Sequence, residues 1–139
     1  MIKAGANVIL SPPTPNNPWE SGKFAWGPGR YDDYAMHAVS ELGGAGAGVW
    51  FVPHGQLAAQ AMRNLGRQKV NAGFPNDHTH TSPFLADVMA KSFVLGLRCG
   101  ASPLGKDVVN STESLTGSFL GPCVTVNSSV PVMAAMREV

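Results

Sequence analysis

Asp77, His78 and His80 fall within four residues of one another in the segment FPNDHTHTSP, and Ser82 and Pro83 follow at once. Three chemistries can use such a cluster. A zinc site would take the two imidazoles, which point to one side of an extended segment. It needs further ligands, and Asp77 is too close in sequence to be a sure third. His37 and His54, the other histidines, lack ligand spacing. A polar turn would use Asp, Thr and Ser only to start a helix, with Ser82 as N-cap and Pro83 as first helical residue. A catalytic pair would join Asp77 to His80. An aspartate three residues before a histidine can accept from the imidazole Nδ1–H, fixing the tautomer and leaving Nε2 as a general base. That pair still requires a serine or cysteine nucleophile and oxyanion donors.

The elements that would hold the cluster can be read from the rest of the chain. Residues 6–11 (ANVILS) form a nearly continuous apolar run before prolines, which predicts a buried, parallel-type strand. Residues 12–29 are dense in Pro, Gly and Asn and predict a long loop. Apolar residues at Tyr31, Tyr34, Ala35, Ala38, Val39 and Leu42 predict a helix with one buried stripe. Asp32 and Asp33 lie in its first turn, where they suit the helix dipole. Adjacent helical positions face different ways, so these two are no paired acid and base. GGAGAG leads into VWFV, a second buried strand with Trp50 in the core, stopped by Pro53. Residues 56–65 read as a helix capped by Gly66. A third helix should run from Pro83 to about Leu97, with Phe84, Val88, the Lys91 stem and Leu95 along one side. Residues 100–123 are rich in Gly, Ser and Thr and read as irregular.

Strands alternating with helices specify an α/β fold with parallel strands and right-handed crossovers. In such sheets, sites form in loops at the carboxyl ends of strands. The 12–29 loop leaves the first strand at that end. It offers Asn16, Asn17, Trp19 and Trp26, and His54 follows the second strand. A Trp can stack on a sugar ring and Asn can bind its hydroxyls. Packing of Trp19 onto the core and a surface position for His54 are the plainer expectations.

Composition narrows the partners. The chain has 139 residues, a formal charge of +1, 44% hydrophobic and 14% charged residues. That is a globular composition without a basic cluster, which argues against nucleic acid or an anionic membrane as main partner. No apolar run approaches the ~20 residues of a membrane helix, and the first residues have no cleavage signature of a signal peptide. Two cysteines, Cys99 and Cys123, leave the redox compartment open. Two N-glycosylation triplets begin at Asn110 and Asn127 and matter only in a secreted chain.

Taken together, ANVILSPPTPNNPWESG and FPNDHTHTSP resemble the C-terminal half of the rhamnogalacturonan acetylesterases, secreted esterases of the SGNH (GDSL) hydrolase superfamily. The resemblance runs from about Ile2 to Cys123. It implies a partial flavodoxin-like, three-layer α/β/α fold with the N-terminal half missing, and deacetylation of pectic rhamnogalacturonan by a Ser-His-Asp triad. Asp77 falls at the triad aspartate, His80 at the triad histidine and His78 at a non-catalytic histidine. The family's pairing of cysteines implies a Cys99–Cys123 disulfide. Extracellular location and the absence of a metal or organic cofactor follow from the same resemblance. On this view residues 1–99 are the C-terminal half of the hydrolase domain, 100–123 a disulfide-closed extension and 124–139 a tail. The departures are specific. There is no Gly-Asp-Ser block and no G-x-S-x-G elbow, and Gly117-Ser118 is a lone dipeptide. A non-catalytic remnant or carbohydrate-binding piece is therefore the rival expectation. Loss of a strand beside residues 8–10 would leave an open sheet edge and invite self-association.

Overall fold

Two short apolar runs make the sheet, and prolines decide where they stop. β1 (Val8–Leu10) ends just before Pro12-Pro13, and β2 (Val49–Phe51) just before Pro53. Proline has no N–H for another ladder bond. The computed structural model describes residues 1–108 and 119–124. Within them β1 and β2 pair in parallel, with Val8 opposite Val49, Ile9 opposite Trp50 and Leu10 opposite Phe51. Gly48 O accepts from Val8 N–H at 2.8 Å, and Leu10 O accepts from Val52 N–H at 3.0 Å. The strands are thus parallel as the sequence suggests, but β1 is half-buried rather than buried. Trp50 is also only half-buried.

α1 (Arg30–Glu41) crosses from β1 to β2. Asp32 closes its first turn by accepting from Gly29 N–H at 2.9 Å. Partial burial nevertheless raises the Asp32 carboxyl above its ordinary range. The connection to β2 turns at Gly43 and Gly48, whose φ angles of 91° and 72° are rare for residues with side chains. The expected stripe is only half-buried: Ala35, Ala38 and Val39 are partly covered, and no residue of α1 is fully buried. Tyr31 and Tyr34 are 53% and 62% exposed and stack edge-to-face on each other. Two three-residue strands are too narrow a surface to cover a twelve-residue helix.

The packed core lies among the later helices. α2 (His54–Leu65) ends at Gly66, which has φ 82°, and α3 (Arg67–Ala72) follows at once. α4 (Pro83–Gly96) lies against α2. Ala58, Ala61 and Met62 of α2 meet Val70 of α3, Leu85, Val88 and Met89 of α4, and Leu120. The buried side of α4 is Leu85, Val88, Met89, Ser92 and Gly96, rotated from the expected Phe84–Val88–Lys91–Leu95 line. Phe84 is 52% exposed. The reason is steric: a Cβ at Gly96 would sit 2.7 Å from Val52 Cγ1, so the helix brings that bare position closest to the sheet. After α4 the chain widens into a π turn, Leu97–Ala101, and a 3₁₀ turn, Pro103–Asp107. Cys99 is bridged to Cys123 with Cα atoms 5.6 Å apart, inside the ordinary range for a disulfide. The Asn110 and Asn127 triplets, Gly117-Ser118 and residues 125–139 of the expected tail lie outside the described residues. Among the described residues no helix is long and apolar enough to cross a membrane.

Candidate active site

The Asp77–His80 segment is an exposed loop tied at its neck. Phe74 is 7% exposed and plugs into the α2–α4 core. Gly73 O accepts from Ser82 N–H at 2.7 Å, so the loop leaves and returns at one point. Gly73 is needed there, because a Cβ would lie 2.8 Å from Leu85 Cδ2. On the far side of the neck, Ser82 Oγ accepts from Leu85 N–H at 3.4 Å and Pro83 opens α4. This is the capping chemistry read from the sequence.

Asp77 organises the tip. Its Oδ1 accepts from Thr79 N–H and His80 N–H, each at 2.7 Å, and its Oδ2 lies 2.7 Å from His80 Nδ1. The backbone bond from His80, the side-chain bond from His80 and the backbone bond from Thr79 hold the carboxyl well below the usual carboxylate range. Ionised, it can only accept. His80 Nδ1 must therefore carry the proton, and the neutral ring has its lone pair at Nε2. Among the described residues Nε2 meets no hydrogen-bond partner, and the His80 side chain is 82% exposed. A base with a fixed tautomer and an open lone pair can take a proton from a hydroxyl brought to it.

The 12–29 loop is stitched to this tip. Asn17 N–H donates to His78 O at 2.8 Å. The Asn17 side chain donates to Asn71 Oδ1 at 2.9 Å and accepts from Trp19 N–H at 3.0 Å, so both ends of its amide are used. Asn16 Oδ1 accepts from Thr79 Oγ1 at 3.2 Å. Glu20 Oε1 lies 3.2 Å from His78 Nδ1. Sequence reasoning missed Glu20; 58 residues separate this pair and no local pattern announces it.

The remaining candidates lie apart from the tip's chemistry. Trp19 packs against the core, and its indole N–H donates to Met62 O at 3.1 Å. Its ring meets Phe24 edge-to-face at 5.2 Å. That is the packing expectation rather than a free sugar platform. His54 is buried, 8% exposed, not at the surface as expected. Its Nε2 lies 3.3 Å from Thr14 Oγ1, its ring meets Phe93, and Nδ1 is buried without a partner. It sits at the first turn of α2 and cannot escape the packing of α2 against α4. Among the described residues no three His, Cys, Asp or Glu side chains group as a metal site would require.

No family model matches the sequence. The chain is 41% identical over 123 residues to the rhamnogalacturonan acetylesterase of Emericella nidulans, an alignment covering 88% of this chain. The chain spans 46% of that relative's length. Identity at this level over 88% of the chain supports a relationship to the rhamnogalacturonan acetylesterase-like SGNH hydrolases.

Proposed function

We propose that this chain is the portion of a carbohydrate acetylesterase that carries the base of the catalytic triad. The observation that supports it is the 2.7 Å Asp77–His80 contact with Nε2 open to solvent. In the proposed reaction a serine hydroxyl attacks the acetyl carbonyl and His80 Nε2 takes its proton. Asp77 holds the ring and balances the imidazolium. The imidazolium then protonates the departing sugar oxygen, and water, deprotonated by the same Nε2, releases acetate from the acyl-serine. No Gly-Asp-Ser block occurs in the 139 residues. The nucleophile and the oxyanion donors are proposed to belong to polypeptide outside this sequence. The corresponding fold is the three-layer α/β/α flavodoxin-like architecture, to which β1 and β2 contribute two adjacent parallel strands. Residues 1–99 form its C-terminal half and 100–123 the extension that the disulfide closes.

The substrate class is an acetylated pectic polysaccharide, by analogy with the rhamnogalacturonan acetylesterase of Emericella nidulans. Asn16, exposed beside Thr79, is the side chain best placed to meet a sugar hydroxyl. Asn17 and Trp19 would position that loop, and His54 would support it from below. A bridged cysteine pair fits an oxidising, extracellular setting. The test is acetate release from acetylated rhamnogalacturonan and from p-nitrophenyl acetate. The chain alone should stay at background. Joined to a segment that supplies Gly-Asp-Ser, it should turn over, and His80→Ala should then lower kcat by on the order of 10⁶-fold. Turnover by the chain alone that His80→Ala abolishes would place a nucleophile within it. A joined protein indifferent to His80→Ala would leave the non-catalytic reading.

A further inference from the structure

We propose that the cleft between residues 24–26, the outer side of α2 and Pro122–Val124 binds a uronic acid residue of a polysaccharide, with Arg63 on the sugar's carboxylate. The cleft holds about 620 Å³, inside the ~300–1,000 Å³ typical of small-ligand sites. No residue of the Asp77–His80 tip lines it. Its walls adjoin β2 rather than β1: Trp26 also lines a small cavity with Phe51, the last residue of β2. Strands that the proposed fold adds beside β1 would lie across β1 from the cleft.

Both walls are pinned. On one side Ala25 N–H donates to Pro18 O at 2.8 Å, and Phe24 packs edge-to-face on Trp19, itself tied to Met62 O. On the other, Gln60 donates to Leu120 O and Pro122 O, and Asn64 donates to Phe119 O at 3.0 Å. The Cys99–Cys123 bridge holds the same segment. Gly121 permits its close approach to α2: φ is 76°, and a Cβ would lie 2.6 Å from Gln60 Nε2. A cleft built beforehand spares the ligand the cost of ordering it.

The lining selects a ligand class. Phe24 and Trp26 offer apolar surface that suits the C–H face of a sugar ring. Gln60 spends both amide hydrogens on the wall, so its oxygen remains to accept from a hydroxyl. Gln56 adds an amide that can donate and accept. Arg63 is the only charged side chain in the lining. Its guanidinium lies 5.8 Å from the centre of the Phe24 ring, and among the described residues no carboxylate pairs with it. A guanidinium so placed is a fork for a carboxylate. A neutral sugar would leave Arg63 unmatched, and a phosphate would find no second cation there. The pectic polymer proposed above contains uronates, and the inference rests on that reading for the choice of probe alone.

The experiment is titration of the intact chain with trigalacturonate at low salt, followed by NMR of the labelled amides. Signals of Gln56, Arg63 and Asn64 should shift while those of His80 stay still. The neutral galactose trimer should bind about tenfold more weakly. Arg63→Gln should weaken trigalacturonate binding by about 10- to 100-fold and leave the neutral trimer unaffected. Lys69→Gln, which removes an exposed cation outside the cleft, should change binding less than about twofold. Should Arg63→Gln unfold, the map of shifts in the wild type decides. No nucleophile is needed, so a joined protein that releases no acetate would strike the esterase reading and leave this one standing. No binding, equal affinity for the two trimers, shifts centred on the His80 tip, or a folded Arg63→Gln variant that binds like the wild type overturns the proposal.

Discussion

α1 and α2 have the same length, twelve residues, yet seven residues of α2 are buried and none of α1. Both show an apolar stripe at helical spacing. The difference lies in what each meets. α2 has α4 along its side and α3 at its end, so its stripe is covered by other helices. Among the described residues α1 meets chiefly the two short strands and the Gly44–Ala47 turn. Amphipathic spacing therefore says which face a helix can bury. How much it does bury is decided by elements distant in sequence. The same contrast separates the loop that carries the candidate dyad, clamped at its neck on the α2–α4 core, from the half-buried β1–β2 pair.

The widest gap between the two regions should appear on cutting equal chemistry from each. Leu85 is completely buried between α2 and α4. Leu85→Ala should cost about 2–5 kcal/mol, the lost transfer energy plus a cavity. Val39→Ala, on the half-exposed side of α1, should cost under about 1 kcal/mol. Urea melts of both variants measure the pair. Similar losses would mean that α1 is buried in solution, by a partner or by more of the polypeptide.

Next in size is the bridge. Cys99–Cys123 closes a loop with a sequence separation of 24. Cys123→Ser should lower stability by about 3 kcal/mol in the chain-entropy account. Leu120 lies in the core and Gln60 donates to Leu120 O at 2.7 Å and Pro122 O at 2.8 Å. Loss of the bridge should therefore speed hydrogen exchange in α2 before it touches the sheet. An equal increase in both regions would show that the bridge acts on the unfolded chain alone.

How far this was legible follows from range. Ser82, Pro83 and Gly66 act within one turn, and their caps could be read directly. So could the two strands, from their prolines and apolar runs. The Asp77–His80 contact spans three residues and was within reach of spacing arguments. α3 was missed because Gly66 reads as an end and can equally begin the next helix. The buried side of α4 was misplaced because that helix is apolar on nearly every side, so periodicity names no face. Gly96 was the unused signal. Burial of His54 depends on Thr14 and Phe93, some forty residues away in either direction.

His54 gives the next effect. Burial pushes its imidazole below the ordinary histidine range. In the unfolded chain it would take a proton below about pH 6.5. In the folded chain it resists doing so until lower pH. Acid therefore draws the equilibrium toward the unfolded state: this contribution is full above about 6.5 and lost as pH falls. The melting temperature should drop between about pH 7.5 and about 5.5, and His54→Gln should flatten that slope. An unchanged slope in the variant would assign the acid sensitivity elsewhere.

The smallest effect on stability, and the sharpest on chemistry, belongs to Asp77. The dyad is exposed, on the loop's outer side, so Asp77→Asn should leave the melting temperature nearly unmoved. The amide oxygen can still accept from Thr79 and His80 N–H, which keeps the turn. Its other end now donates, and it faces His80 Nδ1. A donor there requires a lone pair on Nδ1, so the proton moves to Nε2. The wild-type ring has the proton at Nδ1 because an ionised carboxylate can only accept. Nitrogen-15 chemical shifts of the imidazole, recorded near neutral pH, distinguish the two tautomers without a substrate or a nucleophile. The expected result is a switch from Nδ1–H to Nε2–H with the fold intact. Were the tautomer already Nε2–H in the wild type, the contact would be a turn-forming one. His80 would then have no free lone pair with which to act as the base.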